Sequence, residues 1–155
     1  MRAHYTASDV SLTIEDILID CQNPEQKLYA ITVVVEVKNA AISQYPVTIR
    51  DDMKAYLSVT DEELRQFKIR LKEKRFGNTL VMVREPYGSG GANLPKHLKP
   101  GEYLSLNWTF YFSPVLPGEH TLYIEFFYED TQLRIKEAKK EIGITEYGGY
   151  SLSNP

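Results

Sequence analysis

Three stretches of the chain alternate apolar and polar residues over nearly their whole length. In LYAITVVVEVKN, Leu28 to Asn39, the odd positions Tyr29, Ile31, Val33, Val35 and Val37 are apolar, while Thr32, Glu36 and Lys38 stand among the even ones. In YLSLNWTFYF, Tyr103 to Phe112, Leu104, Leu106, Trp108, Phe110 and Phe112 form the apolar set, and Tyr103, Ser105, Asn107, Thr109 and Tyr111 alternate with it. HTLYIEFFY repeats the scheme, with Leu122, Ile124, Phe126 and Tyr128 on one face and Thr121, Tyr123, Glu125 and Phe127 on the other. Successive side chains of a strand point to opposite faces, so each stretch predicts a strand with one face in a core. The eleven tyrosines, with many Val, Ile and Thr, favour the same structure.

Shorter or less regular strands are predicted in VSLTIEDILID, YPVTIR, KAYLSV, TLVMVR and QLRIK, with an edge strand around Ile142 and Ile144. In the first, Val10, Leu12 and Ile14 share one phase and Ile17 and Ile19 the other, so a β-bulge or break is expected near Glu15–Asp16. Pro-Gly-Glu occurs twice, at Pro100 and Pro117, each time before a strand. Pro presets φ for the second turn position and Gly supplies the positive φ of the third, so both copies read as type II turns. A phosphate cradle would need a helix after the glycine. In TDEELRQFKIRLKEKRFGN, Thr60 and Glu63 make a capping box, acidic residues precede basic ones, and Gly77 ends the run, predicting a helix over about 61–74. Phe67, Ile69 and Leu71 also alternate with Lys68, Arg70 and Lys72, as an edge strand would.

Together these elements predict a mainly β chain: an immunoglobulin-like antiparallel β-sandwich of seven to eight strands with one short helix. Residues 1–8 are expected to be a flexible N-terminus, 9–145 the sandwich, and 146–155, which contain EYGGYSLSNP, a flexible tail. The succession LYAITVVVEVKN, YPVTI, LKPGEYLSLNWTF and LPGEHTLYIEF resembles bacterial immunoglobulin-like accessory domains, the loose group that includes the intracellular proteinase inhibitor type. Because such domains are adhesive, inhibitory or spacer modules, the resemblance implies binding rather than catalysis. The basic segment and the YGSGGANLP stretch lie outside that pattern.

Candidate chemistry is sparse. The single Cys21 excludes an internal disulfide and a multi-cysteine zinc site. His4, His97 and His120 lack the setting of a catalytic base, and Cys21 follows a strand with no helix N-terminus to activate it, so no catalytic residue is assigned and the protein is not expected to be an enzyme. Asp51–Asp52, Asp61–Glu62–Glu63 and Glu129–Asp130 do not follow a calcium-loop spacing, so no metal and no cofactor are implied. NWT at Asn107 matches a glycosylation sequon only in pattern, lying mid-strand. MRAHYTASDV lacks the apolar centre of a secretory signal, so a cytoplasmic location is expected for the sequence as it stands, and a secreted one if a leader has been removed. No apolar run approaches the ~20 residues of a membrane span, so no insertion is expected.

Binding surfaces are the remaining candidates. Net charge is −3, against general nucleic-acid affinity, yet Arg65 to Arg75 carries six basic residues and one acidic. This patch, Arg65, Lys68, Arg70, Lys72, Lys74 and Arg75, could hold an anionic partner. The stretch 87–99, with Tyr87, Gly88, Gly90, Gly91, Asn93 and His97, is the longest without periodicity and is a candidate partner loop. If the two aromatic strands are neighbours, Tyr103, Asn107, Tyr111, Tyr123, Glu125 and Phe127 share one outer surface suited to a sugar ring or a peptide. Alternatively the helix covers that surface with Leu64, Phe67 and Leu71. The leading expectation is a binding or adaptor domain for a protein partner, through the loop, an edge strand or this face. Carbohydrate binding is the alternative, and edge-strand pairing could also give a homodimer.

Overall fold

The structure, a computed structural model, describes residues 10–40, 47–69, 71–89 and 96–152. It is a β-sandwich of two antiparallel sheets with a single turn-and-a-half of helix. The strands are β1 (Val10–Asn23), β2 (Leu28–Asn39), β3 (Val47–Ser58), β4 (Lys72–Phe76), β5 (Thr79–Arg84), β6 (Tyr87–Ser89), β7 (Lys96–Leu98), β8 (Tyr103–Phe112), β9 (Gly118–Glu129), β10 (Leu133–Ile144) and β11 (Gly149–Ser151), with α1 (Asp61–Gln66) between β3 and β4. Eight of them have five residues or more. One sheet has the order β1-β2-β8-β6, and the other β11-β10-β9-β3-β5-β4 with β7 also on β3. No described helix is long and apolar enough to cross a membrane.

The alternating apolar sets meet between the sheets. Ile31, Val33, Val35 and Val37 of β2 are fully buried beside Trp108, Phe110 and Phe112 of β8, and they face Leu122, Ile124 and Phe126 of β9. Trp108 and Phe126 touch edge to face across the layers, ring centroids 6.1 Å apart. Each such side chain withdrawn from water contributes about 1.5–3 kcal/mol. In β1 the partner of Ile14 is Val35 and that of Asp16 is Val34, so Glu15 is the extra residue that brings Ile17 back to the core. From Val47 on, YPVTIR joins KAYLSV in one strand, β3, with a register shift between Ile49 and Met53.

The two Pro-Gly-Glu copies differ. Lys99 to Glu102 closes a turn through Glu102 N–H to Lys99 C=O (3.0 Å), with Gly101 at φ +86°, as the type II geometry requires. At the second copy Gly118 has φ +141° and already begins β9, while the Leu116 carbonyl faces the His120 ring at 2.9 Å.

The expected helix over 61–74 is corrected to six residues. Its capping box forms, Thr60 Oγ1 accepting from Glu63 N–H (3.2 Å) and Glu63 from Thr60 N–H (2.9 Å), but Phe67 is already extended. The Glu63 carboxylate is drawn inside the protein and Leu64 left largely in water, so no apolar stripe remains to prolong the helix. Lys72–Phe76 instead pairs with Thr79–Arg84 across Gly77–Asn78, with Gly77 at φ +61° as a two-residue hairpin needs. Of the stretch 146–155, expected to be a flexible tail, residues 146–152 are described and pack against the sandwich, while 153–155 lie outside the described residues. Gly149–Ser151 pairs with β10, and Cys21 N–H donates to Tyr147 C=O (3.0 Å), so the segment ties the two sheets together. A Cβ on Gly148 would lie 2.6 Å from the Ile19 carbonyl oxygen, a close approach that only glycine permits.

Candidate binding surface

β8 and β9 belong to different sheets, so the six outward residues of the two aromatic strands are divided between opposite sides of the molecule. Neighbouring strands usually follow one another in sequence, but Ser113–Pro117 here carries the chain across from one layer to the other.

On the side of the larger sheet, Tyr123 and Glu125 are almost fully buried. Their cover is the β4–β5 hairpin, not the helix. Phe76 stacks on Tyr123 at 4.2 Å between centroids and meets Tyr56 edge-on at 5.7 Å. Tyr56 Oη donates to Glu125 (2.8 Å), and Lys74 Nζ lies 2.8 Å from the same carboxylate and 5.3 Å from the Tyr56 ring. With Val83 these residues form a satellite cluster outside the main core. Burial pushes the Tyr123 phenol up. Phe127 lies beyond the hairpin, half-buried, with Lys54 Nζ 5.6 Å from its ring. Leu64 and Leu71 are exposed and do not cover this face.

The outer face of the four-stranded sheet has no such cover among the described residues. Tyr103 is 67% exposed and Tyr87 54%, Asn107 is exposed, and Tyr111 is half-buried. Register places Tyr87 of β6 opposite Tyr111, with their rings 6.4 Å apart and tilted by 31°. A Thr32–Thr109 hydrogen bond (2.8 Å) stiffens the middle of the face. Tyr103 and Tyr111 are eight residues apart on one strand, a separation of about 27 Å at the rise of extended chain. The result is a rigid platform with aromatic groups at both ends and polar groups between.

The other candidates are dispersed. Gly88 has φ +64° and adjoins the Tyr111 ring, while His97 Nδ1 lies 3.0 Å from Thr48 Oγ1 on the opposite sheet, and Gly90, Gly91 and Asn93 lie outside the described residues. In the basic segment Arg65 pairs with Glu62, Lys72 with Glu85 (2.9 Å) and Lys74 with Glu125. Lys68 and Arg75 are exposed, and Arg70 is outside the described residues. Three of the six charges therefore already face carboxylates. Among the described residues no group of three or more His, Cys, Asp or Glu is placed to hold a metal.

A buried polar cluster escapes sequence reasoning. Glu63 accepts from the Leu116 N–H (2.9 Å), the Thr60 N–H and the Arg84 guanidinium; Arg84 also donates to the Pro114 and Ser58 carbonyls. Burial alone would push the Glu63 carboxyl up, but Arg84 and the two backbone donors outweigh it and hold the carboxyl below its usual range. His120, also buried, has its two ring nitrogens 3.1 Å from the Ser58 oxygen and 2.9 Å from the Leu116 oxygen. The cluster fastens α1 and the end of β5 to the sandwich. Arg84 also lines a cleft of about 520 Å³ with Ile69, Leu71, Pro86 and Pro114, yet its hydrogen-bonded groups are turned into the protein. Only the capping-box spacing of Thr60 and Glu63 hinted at it, and that spacing is also met in exposed helices.

No family model matches the chain, and no curated protein matches it. Among solved structures, the crystal structure of a Bordetella pertussis protein provisionally named ApaA is similar, with a TM-score of 0.46 and 16% identity, covering 96% of this chain and 95% of that one. A likeness at that level leaves function to be argued from this chain's own residues.

Proposed function

We propose that this protein is a non-enzymatic, immunoglobulin-like binding domain that recognises a protein partner across the outer face of its four-stranded sheet. One observation carries the reading: the platform bearing Tyr87, Tyr103, Asn107 and Tyr111 stays open, while the corresponding face of the other sheet is capped by its own hairpin. Aromatic groups that keep little rotamer freedom give up little entropy when a partner covers them, and they dominate the energetics of protein interfaces. The alternation of the strands fixes these groups outward, so the surface is formed before a partner arrives.

Photo-crosslinking tests this. A photoreactive phenylalanine at Tyr111 is expected to capture a discrete partner, and adding Asn107→Arg with Tyr103→Glu should abolish capture without changing the far-UV spectrum. Capture that survives those changes, or that is equally strong from Lys139 on the other sheet, contradicts the reading.

A second reading, carbohydrate binding, is favoured by the tilted Tyr87–Tyr111 pair beside exposed Asn107. It loses Tyr123, Glu125 and Phe127, which lie on the opposite side. Glycan-array binding abolished by Tyr87→Ala with Tyr111→Ala supports it; an array that stays silent removes it.

A further inference from the structure

The four-stranded sheet is one-sided in charge. Its strands carry Glu15, Asp16, Asp20 and Glu36 but a single basic residue, Lys38. Asp16 and Asp20 stand opposite Val34 and Ala30, and Glu36 alternates with buried Val35 and Val37, so all three belong to the outer face. Ile17 and Ile19, on the other phase of β1, pack in the core. Every ion pair among the described residues lies on the larger sheet or on the helix and turns joined to it. Asp16, Asp20 and Glu36 are in none of them. Asp20 accepts from the Gln22 side-chain amide (2.8 Å) and Asp16 from the Ile17 N–H (2.8 Å), and neither donor carries a charge.

Rows across the sheet set these carboxylates beside the aromatic groups. Asp20 of β1, Ala30 of β2, Tyr111 of β8 and Tyr87 of β6 form one row. Asp20 and Tyr111 are two strand spacings apart, about 10 Å at the backbone. Ala30 between them raises only a methyl group, so the row is lowest there. The next outward row is Leu18–Thr32–Thr109, with Leu18 55% exposed, and the one after it is Asp16–Val34–Asn107. Lys38 stands opposite Tyr103, at the far end of the face. A partner that covers the Tyr87–Tyr111 end must take Asp16 and Asp20 out of water, and a cation of its own offsets that cost. Arginine fits best, because its planar guanidinium stacks on an aromatic ring while its N–H groups reach a carboxylate.

We propose that the occupant of this face is a cationic, arginine-bearing segment of the partner protein. It runs along the strands with one guanidinium on the Tyr87–Tyr111 pair, directed at Asp20, and a second cation over Asp16. The two carboxylates are four residues apart on β1, about 13 Å, which matches positions i and i+4 of an extended partner. The inference rests on the proposed binding face and adds the chemistry of what binds there.

Amide chemical-shift mapping of the full chain tests it, with a short peptide alternating Arg and Ser as probe and the same peptide with Glu in place of Arg as control. The Arg probe should shift Ala30, Thr32, Thr109 and Tyr111 most, and the Glu peptide none of them. Asp16→Asn with Asp20→Asn, or Tyr87→Ala with Tyr111→Ala, should each weaken the Arg probe about fivefold. A probe that shifts residues around Glu119 and Glu137 on the other sheet equally overturns the proposal, as does binding indifferent to the Asp changes. Photo-crosslinking from Tyr111 separates the cationic occupant from the binding face itself. A partner captured equally well after Asp16→Lys with Asp20→Lys keeps the face and overturns its cationic occupant. No capture by the wild-type chain, with the probe map as expected, overturns the protein-partner reading and keeps the preference for cations.

Discussion

β8 and β9 carry the same alternation of aromatic and core residues, yet their outer faces have opposite fates. Tyr103 stands two-thirds in water, while Tyr123 is 6% exposed beneath Phe76. Period two decides which side chains leave the core; it does not decide whether anything lies over them. That is settled by the β4–β5 hairpin, which joins β3 through only the pairs Leu57–Arg84 and Ser58–Val83 and places Phe76 over β9. One aromatic surface is thereby packed internally, and the other keeps Tyr87 and Tyr103 exposed.

The comparison breaks most sharply at the base of the hairpin. Arg84→Met leaves the Glu63 carboxylate buried without its cation and is expected to cost about 3–5 kcal/mol in urea unfolding. Phe76→Ala removes the ring over Tyr123 and should cost about 2 kcal/mol, because the ring is partly exposed, while raising amide exchange in β9 and not in β8. Acid should act through the same base. The folded-state pKa of Glu63 lies below its ordinary value of 4.5, so its stabilisation is complete above that value and is lost as pH falls through the folded pKa. A urea midpoint that drops on acidification, with a shallower drop in Glu63→Gln, is the expected pattern. Smallest of all is Tyr103→Ala on the open face, expected to change stability by no more than about 0.5 kcal/mol.

Local signals carried much of the architecture. The alternation in 28–39, 103–112 and 120–128, the phase change at Glu15, the turn at Lys99–Glu102 and the Thr60–Glu63 box all act within a few residues, and each stands where its pattern points. What was not legible depends on residues far apart. Whether β8 and β9 are neighbours is decided by the crossing at Ser113–Pro117, which hydrophobic period does not encode. The helix stops at Gln66 because Glu63 finds Arg84, 21 positions away, and the strand-like alternation of Phe67, Ile69 and Leu71 then leads into β4. The two glycines of EYGGY look like the mark of a loose tail. In the fold they let the chain pass against β1 and β10, and the alternative meaning of glycine, close backbone approach, was the available clue. For the candidate surface, the outward character of Tyr103, Asn107 and Tyr111 was readable, but its separation from Tyr123, Glu125 and Phe127 was not.

Hydroxyl-radical footprinting resolved to single tyrosines measures the contrast between the faces directly. Tyr87 and Tyr103 should oxidise several-fold to tenfold faster than Tyr56 and Tyr123, and Phe76→Ala should narrow that gap. Equal rates in the wild-type protein, or protection of Tyr87 and Tyr103 in the free protein, would contradict an open face on one sheet and a covered face on the other.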